Sequence, residues 1–344
     1  MNTENQVLGL IKLSGYIKAF LSKKPEQYNE DDADIELLLK RSEIENPWFT
    51  IDNQKFALQQ WADLLTKEGL TAWIENYSIS KISKRVGLIL AGNIPLVGFH
   101  DVISVVLSNH IPVIKLSSKD KCMIPFLLKK WAEFSDGEVK FEFVERLENF
   151  DAVIATGSNN TARYLEYYFK NHLSIIRKNR TSVAVLKGDE TEEELQLLAK
   201  DIFQYFGLGC RNVTRIYIPR DFVIDRLFES FIGFQDIINH NKYANNYDYN
   251  RAVYLLNQEK FWDNNFVMLK EDDKLFSPLS VIHFSRYDSL EDVKNCIAEN
   301  EENIQCVVAK EDLGLDSIQF GEAQHPGLDT YADNVDTMKF LEVV

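Results

Sequence analysis

Between residues 86 and 206 the sequence alternates short apolar runs with helical stretches, and few patterns restrict a chain's topology more tightly. Residues 86–90, 113–115, 139–144, 152–156 and 182–186 read as strands, and 98–109, 124–133, 161–172 and 192–206 as helices. Apolar strands separated by helices predict a parallel sheet covered on both faces, with right-handed crossovers. Ligands of such sheets bind at the carboxyl ends of the strands. Upstream, residues 4–22, 34–43 and 54–67 carry apolar positions at helical spacing. After Cys210 the alternation restarts, with strands at 214–218, 279–284 and 305–308 and a helix at 290–298. The expected organisation is residues 1–206 as N-terminal helices plus a doubly wound dinucleotide-binding α/β domain. A smaller catalytic α/β domain spans 207–318, and a C-terminal segment, 319–344, packs back on the first domain.

One stretch, VGLILAGNIPLVGFHDVISVVL at 86–107, is apolar enough to suggest a membrane span. Asn93, Pro95, His100 and Asp101 break it near its middle, where charge is costly in lipid, so it reads as a buried strand, a turn and a buried helix. Lys and Arg total 38 against 53 Asp and Glu, a net charge of −15, which argues against non-specific nucleic-acid binding but leaves room for an anionic small molecule. The cysteines at 122, 210, 296 and 306 form no C-x-x-C pair and suggest neither a disulfide framework nor a zinc site, so no metal is expected. The start has no basic end leading into an apolar run, and a reducing, cytoplasmic setting is the expectation.

Four places carry candidate chemistry. Cys210 follows Gly207-Leu208-Gly209 and precedes a strand-like run, so a substrate carbonyl could reach a soft sulfur nucleophile. Asn93, in the turn after strand 86–90, offers amide donors to a developing oxyanion. Lys115 ends a short strand, where its ammonium could hold ribose hydroxyls or a phosphate. Gly157-Ser158 lies between a strand and a helix N-terminus, a place suited to a pyrophosphate, although G-x-G-x-x-G is absent. Each has a plainer local reading. Cys210 is a small buried side chain, Asn93 and Ser158 are helix caps, and Lys115 is a solvated strand end.

Their order is what stands out. Asn93 in G-N-x-P, Lys115 in V-x-K-x-S, Gly157-Ser158 in T-G-S, Cys210 before R-x-Y-x-P and Phe276-Ser277-Pro278 together resemble the aldehyde dehydrogenase superfamily. The segment from Gly321-Glu322-Ala323-Gln324-His325-Pro326-Gly327 to Leu341 is similar to the acyl-CoA reductases of the LuxC type, which supply fatty aldehyde in bacterial luminescence. The resemblance covers roughly residues 45 to 344. It implies an aldehyde dehydrogenase-like fold and reduction of an acyl-CoA, with a fatty acyl chain expected, to the aldehyde. NADPH, or NADH in its place, is the implied cofactor. By the same resemblance Cys210 is the acyl-accepting nucleophile, and Asn93 with the Cys210 N–H forms the oxyanion hole. Lys115 meets the cofactor ribose or 2′-phosphate, Gly157 and Ser158 its phosphates, and Phe276 the nicotinamide. An acyl thioester is the partner implied, with no nucleic acid, no integral membrane span and a homo-oligomer left open.

Two departures bear on mechanism. Oxidative relatives carry a glutamate before a pair of glycines as the base that activates hydrolytic water. Here the stretch is Leu186-Lys187-Gly188-Asp189, with no such base. The glutamate that usually precedes the phenylalanine segment is also missing, and Lys274 stands near its place. Acyl-phosphate or semialdehyde dehydrogenases of the same superfamily, or a non-catalytic acyl-binding member, are the alternatives.

Overall fold

The computed structural model describes residues 2–310 and 313–344. Two compact units divide the chain, Met1–Lys178 with Gly327–Val344, and Asn179–Pro326.

The first unit opens with α1 (Thr3–Leu21), α2 (Glu30–Glu45), α3 (Ile51–Leu64) and α4 (Lys67–Ile74). Capping fixes where these begin. The Asn2 side chain accepts from Glu4 N–H, and Asn29 and Asp32 close a reciprocal capping box at α2. The alternating region then supplies β1 (Arg85–Ile89), α5 (Phe99–Leu107), β2 (Ile111–Lys115), α6 (Met123–Phe134), β3 (Glu142–Phe143), β4 (Ala152–Thr156), α7 (Asn159–Phe169) and β5 (Leu173–Arg177). The sheet runs β3-β2-β1-β4-β5, all parallel. The chain winds outward from β1 to β3, then returns to place β4 and β5 on the other side, so the winding reverses between β1 and β4. Val86, Leu88, Val113, Ile114, Val153 and Ile154 are buried at its centre. Helix α1 packs on α6 and α3, and the indole N–H of buried Trp131 donates to the Gln6 carbonyl at 2.8 Å.

The second unit contains β6 (Thr181–Val185), α8 (Glu192–Phe203), β7 (Val213–Pro219), α9 (Asp225–Phe231), α10 (Asn241–Leu256), β8 (Trp262–Asp263), β9 (Met268–Glu271), β10 (Val281–Tyr287), α11 (Leu290–Glu299) and β11 (Ile304–Ala309). Its sheet is mixed, in the order β11-β6-β7-β10-β9-β8, parallel except for the β8–β9 pair. One face buries Leu195, Leu198 and Ile202 of α8 against Ile216 and Phe284, and the other buries Val183, Val185 and Val293.

The chain then returns to the first unit through α12 (Thr337–Leu341). Trp73 Nε1 donates to Tyr331 Oη at 2.8 Å, and Tyr77 Oη donates to Asp336 at 3.0 Å. Arg177 ties the same segment down, with Nη1 on Asp101 Oδ2 at 2.5 Å and Nη2 on Thr337 Oγ1 at 2.9 Å.

The unit boundaries thus lie at 178/179 and 326/327, not at 206/207 and 318/319. The cause is strand pairing. β6 sits between β7 and β11, so residues 179–206 are built into the second sheet. Residues 319–326 stay with that unit because the Asp201 carboxylate holds Gly321 and Ala323.

Arg177 and Asp101 are both under a tenth exposed, so removing one partner strands a buried charge. Asp101→Ala is expected to cost about 3–5 kcal/mol, read as a shift in the urea midpoint at unchanged slope.

Candidate active site

At the carboxyl edge of the first sheet, Ile89 of β1 is level with Lys115 of β2 and Ala155 of β4. The next residues therefore leave three adjacent strands at one height. Leu90 N–H extends the ladder by donating to the Lys115 carbonyl at 3.2 Å. Asn93 and Lys115 are exposed at this edge, and Gly157-Ser158 leads from β4 into α7. This is the side of a doubly wound sheet where ligands bind, at the reversal between β1 and β4.

The Asn93 turn is firmly seated. A Cβ on buried Gly92 would lie 2.5 Å from Ser117 Oγ and 2.7 Å from Ser117 Cβ, so only glycine allows the turn after β1 to approach the turn after β2 this closely. Leu96 adopts a left-handed backbone, φ 59°, that a branched side chain takes only when its surroundings impose it. Its N–H donates to Asp120 Oδ2 at 3.4 Å. Asp120 is 2% exposed, and burial pushes its carboxyl up to about 6 against backbone N–H bonds from Leu96 and Met123. On the β4 side Gly157 N–H is spent on the Arg177 carbonyl at 3.1 Å, and Ser158 Oγ accepts from Thr161 N–H at 3.4 Å. What this end presents to an anion is the positive pole of α7.

In the second unit Cys210 is half-buried on the loop between α8 and β7. Tyr205, Phe206 and Gly207, with φ of 54°, 60° and 78°, are three consecutive left-handed residues just ahead of it. Two of them are aromatic, so the turn is strained and must be held from outside. Tyr205 is buried, and the Phe206 ring lies 4.3 Å from that of His240. Asn212, fully buried, does most of the holding. Its Nδ2 donates to the carbonyls of Gln204 at 2.8 Å, Asp201 at 3.1 Å and Ile202 at 3.2 Å. Its Oδ1 accepts from Gly209 N–H at 2.8 Å. Ser182 Oγ, at the start of β6, donates to the Cys210 carbonyl at 3.0 Å, which turns that peptide's oxygen inward.

Phe276 is 38% exposed and belongs to the same unit as Cys210. The neighbouring Leu275 carbonyl accepts from Thr214 Oγ1 at 3.1 Å, at the start of β7. The structure therefore gathers Asn93, Lys115, Gly157 and Ser158 along one sheet edge of the first unit, and Cys210 and Phe276 around the start of β7 in the second. Where oxidative relatives carry their base, Lys187 and Gly188 donate their N–H groups to buried Glu190, at 2.5 and 2.9 Å. That carboxylate closes its own turn. The supporting residues Gly92, Asp120, Ser182, Asp201 and Asn212 were not singled out from the sequence. Asn212, two positions beyond the cysteine, carried the one readable cue, an amide beside a turn.

The sequence model of the acyl-CoA reductase (LuxC) family matches residues 75–226, a span that contains Asn93, Lys115, Gly157, Ser158 and Cys210. No curated protein matches the chain. Among solved structures, aldehyde dehydrogenase 21 from Physcomitrella patens in complex with succinate is similar over 100% of this chain and 84% of its own, at 12% identity and a TM-score of 0.69. An NAD-dependent benzaldehyde dehydrogenase from Corynebacterium glutamicum is similar over 93% and 80%, at 12% identity and 0.64. A Mycobacterium tuberculosis aldehyde dehydrogenase complexed with NAD+ is similar over 87% and 73%, at 15% identity and 0.57. The fold is that of the aldehyde dehydrogenases. The acyl-CoA reductase (LuxC) family model matches the stretch 75–226, under half of the chain, and the likeness to the aldehyde dehydrogenases is one of fold.

The packing of Gly92 makes a direct prediction. Gly92→Ala is expected to cost about 1–3 kcal/mol through overpacking against Ser117. Gly92→Ala with Ser117→Gly should recover part of that loss, seen as a favourable coupling energy in a double-mutant cycle of denaturation midpoints.

Proposed function

We propose that this protein reduces an acyl-CoA to the aldehyde, using a reduced nicotinamide dinucleotide and a thioester on Cys210. The observation that carries the reading is the acyl-CoA reductase match, whose span contains the cysteine and four of the five other candidate residues. Three further features support it. The strained turn and the bonds of Asn212 and Ser182 fix the cysteine's backbone. The Asn93 turn holds a side-chain amide at a strand's carboxyl end. The stretch Leu186-Lys187-Gly188 carries no glutamate of its own, and the Glu190 carboxylate beside it is taken up by the Lys187 and Gly188 N–H groups, so an acyl-enzyme would persist until reduced.

Residues at the first sheet's edge suit an anionic, hydroxyl-bearing ligand. The α7 N-terminus favours a phosphate, and the Lys115 ammonium suits a ribose or its 2′-phosphate. Asn93 and Lys115 belong to elements held by the Gly92–Ser117 approach, so the two would move little on binding. Solved relatives complexed with NAD+ favour the same ligand class. When bound, the dinucleotide supplies a hydride.

The Cys210 thiolate attacks the thioester carbonyl carbon, and a C–S bond to Cys210 forms. The oxyanion takes hydrogen bonds from the Asn93 amide and the Cys210 N–H. Its collapse breaks the bond to CoA, which leaves as a thiolate. After hydride delivery to the acyl carbon, the same donors hold the thiohemiacetal oxyanion. A second collapse breaks the C–S bond to Cys210, releases the aldehyde and returns the thiolate. Two easier steps at the acyl carbon, exchange of the CoA thiolate for that of Cys210 and then reduction with loss of the Cys210 thiolate, replace one difficult reduction.

Incubation with acyl-CoA alone should add one acyl mass to the wild type and none to Cys210→Ala. NADPH should then discharge that mass as aldehyde. Asn93→Ala should lower kcat about 10²–10³-fold, measured from NADPH absorbance. Reductase activity retained in Cys210→Ala would overturn the assignment. Activity confined to acyl phosphates or free aldehydes would move the protein to another branch of the superfamily.

A further inference from the structure

We infer that Asp201 is a positioning residue for Cys210, its buried carboxylate setting the nucleophile loop through the Gly321–Ala323 segment and Arg211. This deepens the proposed function and rests on Cys210 being the nucleophile.

The connections form a closed circuit within one unit. Asp201, near the end of α8, is fully buried. Its Oδ2 accepts from Gly321 N–H at 2.6 Å and its Oδ1 from Ala323 N–H at 3.0 Å. The Ala323 carbonyl accepts from Arg211 Nε at 2.5 Å, and Arg211 is the residue after Cys210. On the other side of the cysteine, Gly209 N–H reaches Asn212 Oδ1, and Asn212 Nδ2 returns to the Asp201 main-chain carbonyl at 3.1 Å. The cysteine is thus held on both sides by bonds that end on one aspartate. The segment lies close against α8. Gly321 has φ +88°, and a Cβ on it would lie 3.0 Å from Leu197 Cδ2.

Two convergent N–H donors call for an acceptor with two oxygens, which a carboxylate provides and a carboxamide does not. Charged and titratable groups near Asp201 are Arg211 on the loop, Glu322 between its two donors and Cys306 on β11. Burial pushes its carboxyl up to about 6; Gly321 and Ala323 N–H and Arg211 oppose this, and Glu322 adds to it. A raised carboxyl favours the fold in its protonated form. That stability is present below the unfolded value of 3.8 and is lost as pH rises through about 6. The ionised state that grips both N–H groups is therefore kept at a cost to stability, as is common where function sets the requirement.

Hydrogen exchange followed by mass spectrometry and steady-state kinetics test this on the whole protein. Asp201→Asn should speed exchange about tenfold or more in peptides covering both 320–324 and 207–212. Its kcat for acyl-CoA should fall about tenfold or more while KM changes less than about twofold. The wild-type kcat should decline on the acid side near pH 6, and the variant should lack that limb. Arg211→Gln, at the half-exposed end of the circuit, should loosen 207–212 while 320–324 stays protected; it keeps the test open if Asp201→Asn does not fold. Faster exchange confined to 320–324 with kcat unchanged in Asp201→Asn, or an unaffected 207–212 peptide in Arg211→Gln, overturns the inference. A wild type whose Cys210 accepts no acyl group overturns the function proposed above instead, and the exchange data still decide whether Asp201 governs the loop.

Discussion

A parallel strand cannot pair with its predecessor through a tight turn. The chain must cross the sheet and come back, and every such crossover leaves from the same edge. This constraint organises the first unit. β1, β2 and β4 are separated by helices, yet Ile89, Lys115 and Ala155, at or next to the ends of their strands, lie level. Residues distant in sequence are delivered side by side because the ladder register fixes where each strand ends. Reversal of the winding next to β1 then opens that edge between β1 and β4. Asn93 and Ser158 leave from the two strands flanking the opening, and Lys115 from the next one.

The second unit meets a different difficulty. The loop around Cys210 is only partly buried, so apolar packing alone does not fix its backbone. Here polar contacts from beneath take over. One carboxamide, Asn212, gathers three carbonyls from the end of α8 and one N–H from the glycine before the cysteine. Three left-handed residues then bend the chain sharply enough to join helix to strand in a few positions. Such a turn is unfavourable alone, and the buried Tyr205 ring and the Phe206–His240 contact hold it in shape.

Much of this was legible in the sequence, and the remainder was hidden for identifiable reasons. The strand at 152–156 was read to the residue, because Ala-Val-Ile-Ala is uniformly apolar and ends at a Thr-Gly-Ser turn. β5 was missed. Leu173 and Ser174 are exposed, and only Ile175 and Arg177 of its five residues are buried, so no apolar run marks it. The stretch 139–144 shrank to the two residues of β3, since an edge strand forms only where its neighbour offers free ladder groups. The expected boundary at 206 failed because periodicity identifies strands but not their partners, and β6 pairs with strands that follow it. Candidate residues were readable by type and order. Their supports, Asp120 and Asp201, look in sequence like ordinary acidic surface residues, and only burial reveals their work.

The sequence places one unit wholly inside another. Residues 327–344 belong with the first sheet, although the entire second unit separates them from it along the chain. During synthesis the strands of the first sheet leave the ribosome long before Tyr331 and Thr337, the partners that Trp73 and Arg177 require. The inserted unit holds all six strands of its own sheet by residue 309 and can close earlier. The first unit therefore cannot gather all of its own contacts until the second has been synthesised in full.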